Sequence, residues 1–165
     1  MNFQAVELKK DLSLFLKGRI LLVGIGNTLK SDDGFGPLLI ARLKDKVSAE
    51  CIDASTAPEN YIGPILKYQP DTIIFFDAVS FGGLAGELRL IQKDQIGEYG
   101  FSTHNMSPRL MIEHIDSQIK TNIIMLGVEP KLVSFGGGVS EEIRDRIDYL
   151  ENVFMELLGN EKAES

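Results

Sequence analysis

The chain has 165 residues, of which 44% are hydrophobic and 25% are charged, a composition typical of one globular domain. Its net charge of −7 argues against a nucleic-acid partner, because binding to a phosphate backbone depends on clustered lysine and arginine. The single cysteine, Cys51, excludes an internal disulfide, and no apolar run reaches the roughly 18 residues that a membrane-spanning helix needs. The N-terminus lacks the features of a signal peptide. We therefore expect one cytoplasmic domain, residues 1–165, with no membrane insertion.

The first third of the chain predicts a helix, a strand and a second helix. Residues 5–16 carry apolar residues at helical spacing, which predicts an amphipathic helix that ends near Gly18. The continuous apolar run 19–25 is typical of a strand that is buried on both faces. Helical periodicity returns at 34–44, where Pro37 suits the first turn because its missing N–H has no partner to lose there.

The same alternation continues to the C-terminus. Further strands are predicted at 48–53, 71–77, 87–91 and 122–128, and further helices at 58–68, 107–119 and 140–158. The connection between 71–77 and 87–91 is too short for a helical crossover, so we expect these two strands to pair antiparallel. The last residues, 159–165, predict a flexible polar tail.

Strands that alternate with helices predict a three-layer α/β domain. Its sheet should have about five mostly parallel strands, with one antiparallel strand and with helices on both faces. Ligands of such sheets bind beyond the carboxyl ends of the strands. The residues that follow the strands are therefore the candidates for a functional site.

The turn after the first strand is rich in glycine. A dinucleotide-binding fingerprint would have the pattern G-x-G-x-x-G and would open directly into a helix. Gly24 and Gly26 fit that pattern, but Leu29 stands where the third glycine belongs. A nucleotide-binding protein that uses these two glycines and Asp53 is therefore an alternative that the sequence leaves open.

Two adjacent acids, Asp32 and Asp33, follow in the same turn. One acid is explained by the start of a helix, where a carboxylate accepts backbone N–H bonds and meets the positive end of the helix dipole. That explanation does not account for a second acid at the same turn. Asp33 is accordingly a candidate for chemistry.

Three further polar residues follow strands or precede a helix. Asp77 ends the apolar run 71–77, Asp53 ends the preceding strand, and His104 lies in a polar stretch before the helix 107–119. An Asx-turn is the alternative role for either acid. Two carboxylates and an imidazole suit nickel or zinc better than Ca²⁺, which prefers oxygen ligands alone. We expect Asp33, Asp77 and His104 to gather at one rim of the sheet and to handle a metal.

No nucleophile is recognisable. The G-x-S-x-G elbow of serine hydrolases is absent, and Cys51 lies in a predicted strand, where a buried and inert thiol is expected. Hydrolysis would instead use a metal-activated water or a metal-polarised carbonyl.

Taken together, these segments resemble the hydrogenase maturation endopeptidases, which trim the large subunit of nickel–iron hydrogenases. The matching segments occur in the family's order: GIGNTLKSDDGFGP (24–37), DASTAPEN (53–60), IIFFDAV (73–79), GELRLI (86–91), STHNMSP (102–108) and IIMLGVEP (123–130). The pair APEN and THNMS is most similar to the branch that serves formate-hydrogenlyase-type (hydrogenase 3) enzymes.

The resemblance implies an endopeptidase that removes the C-terminal extension of a large-subunit precursor after nickel insertion. It implies metal binding and catalysis at Asp33, Asp77 and His104, and a catalytic role for Asp53 near the cleavage site. The precursor would supply the nickel, and we expect the free enzyme to hold no metal tightly. Residues 1–17 look like an extension beyond the usual start of the family. A chaperone that binds nickel or a hydrogenase subunit without cutting is the non-enzymatic alternative.

Overall fold

The structure, a computed structural model, describes residues 3–101 and 107–160, with side chains from 7 to 99 and from 107 to 160. The helices are α1 Phe3–Phe15, α2 Phe35–Leu43, α3 Ile62–Tyr68, α4 Pro108–Gln118 and α5 Glu141–Leu158. The strands are β1 Ile20–Ile25, β2 Glu50–Ser55, β3 Thr72–Ser80, β4 Leu88–Gln92, β5 Gly100–Phe101 and β6 Asn122–Val128. Short 3₁₀ turns lead into α2 at Ser31–Gly34 and into α3 at Pro58–Tyr61.

The main sheet has the strand order β2-β1-β3-β6-β4. Four of these strands, β2, β1, β3 and β6, run parallel, and β4 runs antiparallel along β6. The two-residue β5 pairs antiparallel with the end of β3. The predicted α/β fold, with one antiparallel strand in a sheet of about five, is confirmed.

The predicted partner of the antiparallel strand is wrong. We expected β4 to pair with β3, but it pairs with β6, where Leu88 lies opposite Val128 and Gln92 opposite Ile124. Parallel neighbours, β1 and β6, already occupy both edges of β3, so β4 finds its hydrogen-bonding partner one strand further out. A short connection correctly predicts the antiparallel direction, but its length does not say which edge is open.

Helices cover both faces of the sheet. On one face, α1, α2 and α5 pack on side chains such as Ile74 and Phe76 of β3, and the Phe76 ring meets that of Phe154 edge-on at 5.4 Å between centroids. On the other face, α3 and α4 pack on alternate residues such as Ile73 and Phe75. The apolar run in β3 is thus buried on both sides, as a central parallel strand requires.

The first and last described segments are attached to this domain. Leu8 and Leu12 of α1 are buried in the same core as α2 and α5, so the N-terminal helix packs on the sheet. At the other end, the Asn160 N–H donates to the Lys46 carbonyl at 3.0 Å, and Gly159 forms a bridge with Val47. Of the predicted tail 159–165, the last five residues lie outside the described part. Among the described helices, none is both long and apolar enough to cross a membrane.

Candidate active site

Asp33 is held at the carboxyl end of β1 by a glycine-dependent turn. Gly26 has φ +146°, and a Cβ placed there would lie 1.9 Å from the Asp33 carbonyl oxygen, so only glycine permits this approach. The Asn27 N–H donates to Oδ2 of Asp33 at 2.9 Å. Asp33 is completely buried, and its carboxylate is therefore fixed beside the end of the strand.

A second glycine brings this turn to the neighbouring strand. A Cβ on Gly36, in the first turn of α2, would lie 2.5 Å from the carbonyl oxygens of both Ile25 and Phe76. The start of α2 therefore rests directly on the ends of β1 and β3. Because Phe76 immediately precedes Asp77, and the 3₁₀ turn containing Asp33 also contacts β3, the two predicted acids lie at one rim.

Asp77 is completely buried, but it does not end its strand. β3 continues to Ser80, because Ala78 still pairs with Val128 and the last two residues pair with β5. Alternation along β3 places Asp77 on the face that also carries Phe75 and Val79, which is the face covered by α3 and α4. The acid thus lies within the strand, on the face of the sheet that α3 and α4 cover.

Asp53 has a different environment. It does not end its strand as predicted, because β2 continues to Ser55. Its side chain is exposed, and its Oδ1 accepts bonds from the N–H and the hydroxyl of Ser55, both at 2.9 Å. This is the Asx-turn that the sequence left open. Asp53 pairs in register with Gly24 of β1, so it stands on the same rim, one strand away from the turn that carries Asp33.

The sequence did not reveal the role of Asp32. This buried carboxylate accepts three backbone N–H bonds, from Lys131 at 2.8 Å, Leu132 at 3.0 Å and Ser140 at 2.6 Å, and a fourth bond from the Ser140 hydroxyl. Asp32 therefore fastens the loop 129–140 to the turn before α2. A role confined to the start of the helix would not include these long-range partners.

Glu129 fastens a second loop at this rim, and the sequence had not singled out this residue. It is buried, and its Oε1 accepts the N–H groups of Phe81 at 3.1 Å and Gly83 at 2.7 Å. Its own backbone bonds to Gly86 and Glu87 close the loop after β3. The position of an acid directly after the apolar strand β6 was the available signal.

His104 lies outside the described residues, within 102–106. Its flanks are described: β5 pairs with the end of β3 two residues beyond Asp77, and α4 begins at Pro108. Among residues 3–101 and 107–160, no three acidic, histidine or cysteine side chains come close enough together to hold a metal ion. Asp33 and Asp77 would therefore need a further ligand from elsewhere.

Cys51 is no nucleophile in this structure. Burial raises the pKa of its thiol to about 11, from an ordinary value of 9.0. The thiol stays protonated at neutral pH, and the thiolate is the reactive form. The expectation of an inert cysteine is supported by this environment.

Two buried carboxylates at the rim can ligate a cation or accept a proton. A phosphate would be repelled here, because the acids Asp32 and Asp33 occupy the turn that leads into α2, where a nucleotide phosphate would need to bind. The nucleotide-binding alternative is disfavoured by this charge.

Known proteins with the same architecture match over most of the chain. A family model described as hydrogenase maturation protease (HycI) matches residues 37–157. The hydrogenase 3 maturation protease of Escherichia coli K12 is 34% identical over 142 residues, which cover 84% of this chain and 88% of that protein.

Two solved structures show the likeness in three dimensions. The nickel–iron hydrogenase maturation protease HycI from Thermococcus kodakarensis has a TM-score of 0.83 and 32% identity, covering 91% of this chain and 99% of that one. The endopeptidase HycI from Escherichia coli has a TM-score of 0.76 and 32% identity, covering 87% and 93%. These matches agree with the resemblance drawn from the sequence motifs, including the hydrogenase 3 branch. The chain belongs to the hydrogenase maturation protease family, and it is therefore a peptide-bond hydrolase.

Proposed function

We propose that this protein removes the C-terminal extension of a nickel–iron hydrogenase large-subunit precursor, and that nickel already bound in the precursor is the element it recognises. The burial of two carboxylates, Asp33 in the turn after β1 and Asp77 within the adjacent strand β3, carries the proposal. The relatives named hydrogenase 3 maturation protease favour a large subunit of the hydrogenase 3 type as the substrate.

The enzyme would contribute an incomplete ligand set. Asp33 and Asp77 supply two carboxylates, and His104 is the proposed third ligand. Three protein ligands leave coordination positions open, so a nickel ion held by the precursor could be shared between the two proteins. Because three ligands without a fourth bind a metal weakly unless the site is rigid and well supported, we expect the free enzyme to hold no metal tightly.

Cleavage requires water to add to the scissile carbonyl carbon and the C–N bond to break as the amine leaves with a proton. Nickel in the substrate would polarise the carbonyl or activate the water, while a carboxylate that is not bound to nickel accepts the proton. Asp53 is exposed on the same rim, so it is free to contact the substrate chain, to orient it or to act as that base.

The test compares two forms of one substrate. Purified enzyme is incubated with a large-subunit precursor that carries nickel and with the same precursor prepared without nickel, and both are followed by intact mass. We expect loss of the C-terminal extension only from the nickel-loaded form. Equal cutting of the two forms would reject nickel as the recognition element while leaving the protease activity in place.

The same measurement separates a protease from a chaperone. A nickel or subunit chaperone would bind the loaded precursor and leave its mass unchanged. Binding without any shortening, under conditions in which the enzyme is folded, would therefore contradict the proposed activity.

A further inference from the structure

An exposed apolar surface lies beside the candidate active site. It consists of Leu29, Leu132, Val133 and Phe135, whose exposures are 67%, 55%, 42% and 74%. Scattered single apolar residues are ordinary on protein surfaces, but four large apolar residues on two contacting loops are typical of a binding surface. We refer to these four residues as the apolar rim.

Hydrogen bonds hold the two loops of the apolar rim together. The Gly136 N–H donates to the Leu29 carbonyl at 3.0 Å, and the Asp32 N–H donates to the Leu132 carbonyl at 3.0 Å. The Ser31 hydroxyl lies 2.8 Å and 2.9 Å from the carbonyl oxygens of Ser134 and Gly136. Together with the buried Asp32 carboxylate, these bonds preform the surface, so ordering it on binding costs little.

The apolar rim is continuous with the site that must receive the substrate. Asp32, which fastens the loop carrying Leu132, is the immediate neighbour of Asp33 in the chain. A protein substrate whose scissile bond reaches Asp33 therefore brings the residues around that bond onto these loops. Phe135 adds an aromatic anchor, and the Lys30 ammonium lies 5.0 Å from its ring centroid.

Size also favours a protein occupant. A specific protein interface buries at least about 1,000 Å² in total, which is more than the few groups around one scissile bond provide. The centre of such an interface is apolar. The apolar rim can supply that centre. Resting on the proposed function, we infer that the apolar rim docks an apolar segment of the large-subunit precursor next to the cleavage site.

The test uses a double variant, Leu132→Ser with Phe135→Ser, and Leu14→Ser as its control. Leu14 is 63% exposed near the end of α1, which leads into the amino end of β1 at the opposite edge of the sheet. All three proteins are titrated with nickel-free precursor, which the proposed mechanism leaves uncut, so that binding through the apolar rim is measured without cleavage and without the nickel contact. We expect the Kd of the double variant to rise at least about tenfold and that of the control to stay unchanged.

Cleavage of the nickel-loaded precursor gives a second readout. The double variant should lose kcat/KM by a similar factor and keep the kcat of the wild-type enzyme at saturation, since its catalytic groups are intact. Failure of the wild-type enzyme to cut would count against the proposed function, whereas the binding comparison tests docking independently. An equal Kd for all three proteins, or no binding of precursor by the wild-type enzyme, would overturn the inference.

Self-association is a competing use of an exposed apolar surface. Gel filtration distinguishes it, because a rim that pairs two copies would make the wild-type protein larger in solution than the double variant. Such a change with unaltered precursor binding contradicts our assignment. Unchanged folding of the variants is checked by circular dichroism, and the single Phe135→Ser variant is used if the double variant loses structure.

Discussion

Adjacent carboxylates in this protein have different tasks. The Asp32 carboxylate accepts four hydrogen bonds from the loop 129–140, while Asp33 is tied to the local turn through the Asn27 N–H. Both are completely buried, so burial alone does not separate a structural acid from a candidate catalytic one. The described bonds of Asp32 are long-range, and they give this carboxylate a structural role.

Substitution at the proposed ligands should abolish processing and leave stability nearly intact. We expect Asp33→Asn, Asp77→Asn and His104→Ala each to lower cleavage of nickel-loaded precursor by more than the roughly 100-fold that loss of an outer-shell partner costs. The asparagine variants keep the side-chain volume, so their melting temperatures should stay close to that of the wild-type protein. Unimpaired cleavage by any two of the three variants would refute the site.

Asp32→Ala is the matched comparison, and it should act mainly through stability. It leaves three backbone N–H groups of the loop 129–140 without their acceptor, and a hydrogen bond to a charged group contributes about 1.5–3 kcal/mol. We expect the free energy of unfolding to fall by more than about 3 kcal/mol in urea denaturation, with faster amide exchange at Ser140. A variant as stable as the wild-type protein would show that the loop is held by other contacts.

At the scale of elements, the site depends on how α2 sits on the sheet. Gly24 and Gly36 let this helix touch β1 and β3 at backbone distance, since a Cβ on Gly24 would lie 2.5 Å from the Gly36 carbonyl oxygen. The acid-bearing turn is continuous with α2, so any shift of the helix moves Asp33 relative to Asp77. Close helix–strand packing is thus a condition for the geometry of the site.

Gly36→Ala tests this dependence, and Gly63→Ala is its control. An alanine Cβ at position 36 would meet two backbone carbonyl oxygens at 2.5 Å, which cannot move as a side chain could. We expect a loss of about 1–3 kcal/mol of stability and a marked fall in cleavage rate. Gly63 lies in α3, and a Cβ added there would have no atom within 4 Å, so alanine should be neutral or stabilising by about 0.5–1 kcal/mol.

The two glycine variants are compared by thermal unfolding and by cleavage of nickel-loaded precursor. Equal behaviour of both would mean that α2 can shift without consequence for the site. That result would remove the close packing of α2 from the explanation of how Asp33 is positioned.

At the scale of the whole molecule, the N-terminal helix is part of the domain core. Leu8 and Leu12 of α1 are buried against the α2 and α5 side of the sheet. The Thr72 hydroxyl at the start of β3 also donates to the Lys17 carbonyl at 2.8 Å. The structure therefore shows that α1 packs on the domain.

Deletion of residues 1–17 should therefore destabilise the protein. Burial of a leucine side chain contributes about 1.5–3 kcal/mol, so loss of Leu8 and Leu12 should lower the free energy of unfolding by about 3–6 kcal/mol. For a chain of this size, that corresponds to a melting temperature lower by on the order of 10 °C. A truncated protein with unchanged melting temperature and a smaller size in gel filtration would instead assign the helix to self-association.

Local patterns in the sequence determined the order of the helices and of the strands in the main sheet, and they placed Asp33 in the turn after β1. The predicted ends of β2 at Asp53 and of β3 at Asp77 were wrong, because both strands continue beyond these acids. Periodicity of apolar residues reports burial of a face, and a run such as 72–79 must be buried on both sides wherever it is placed. The family motifs predicted the same architecture, and they proposed Asp33, Asp77, His104 and Asp53 as the site residues. These inferences need only neighbours in the chain.

Tertiary structure alone decided which partner each group received. Three features join distant parts of the chain: the pairing of β4 with β6, the continuation of β3 past Asp77, and the bonds that give Asp32 its structural role. The bonds of Asp32 span 99 to 108 positions. Such contacts depend on which edges and amides remain open after the sheet has formed, and no local pattern encodes that. The apolar rim follows from the same contacts, because residues near position 30 and near position 135 become one surface only when the chain is folded.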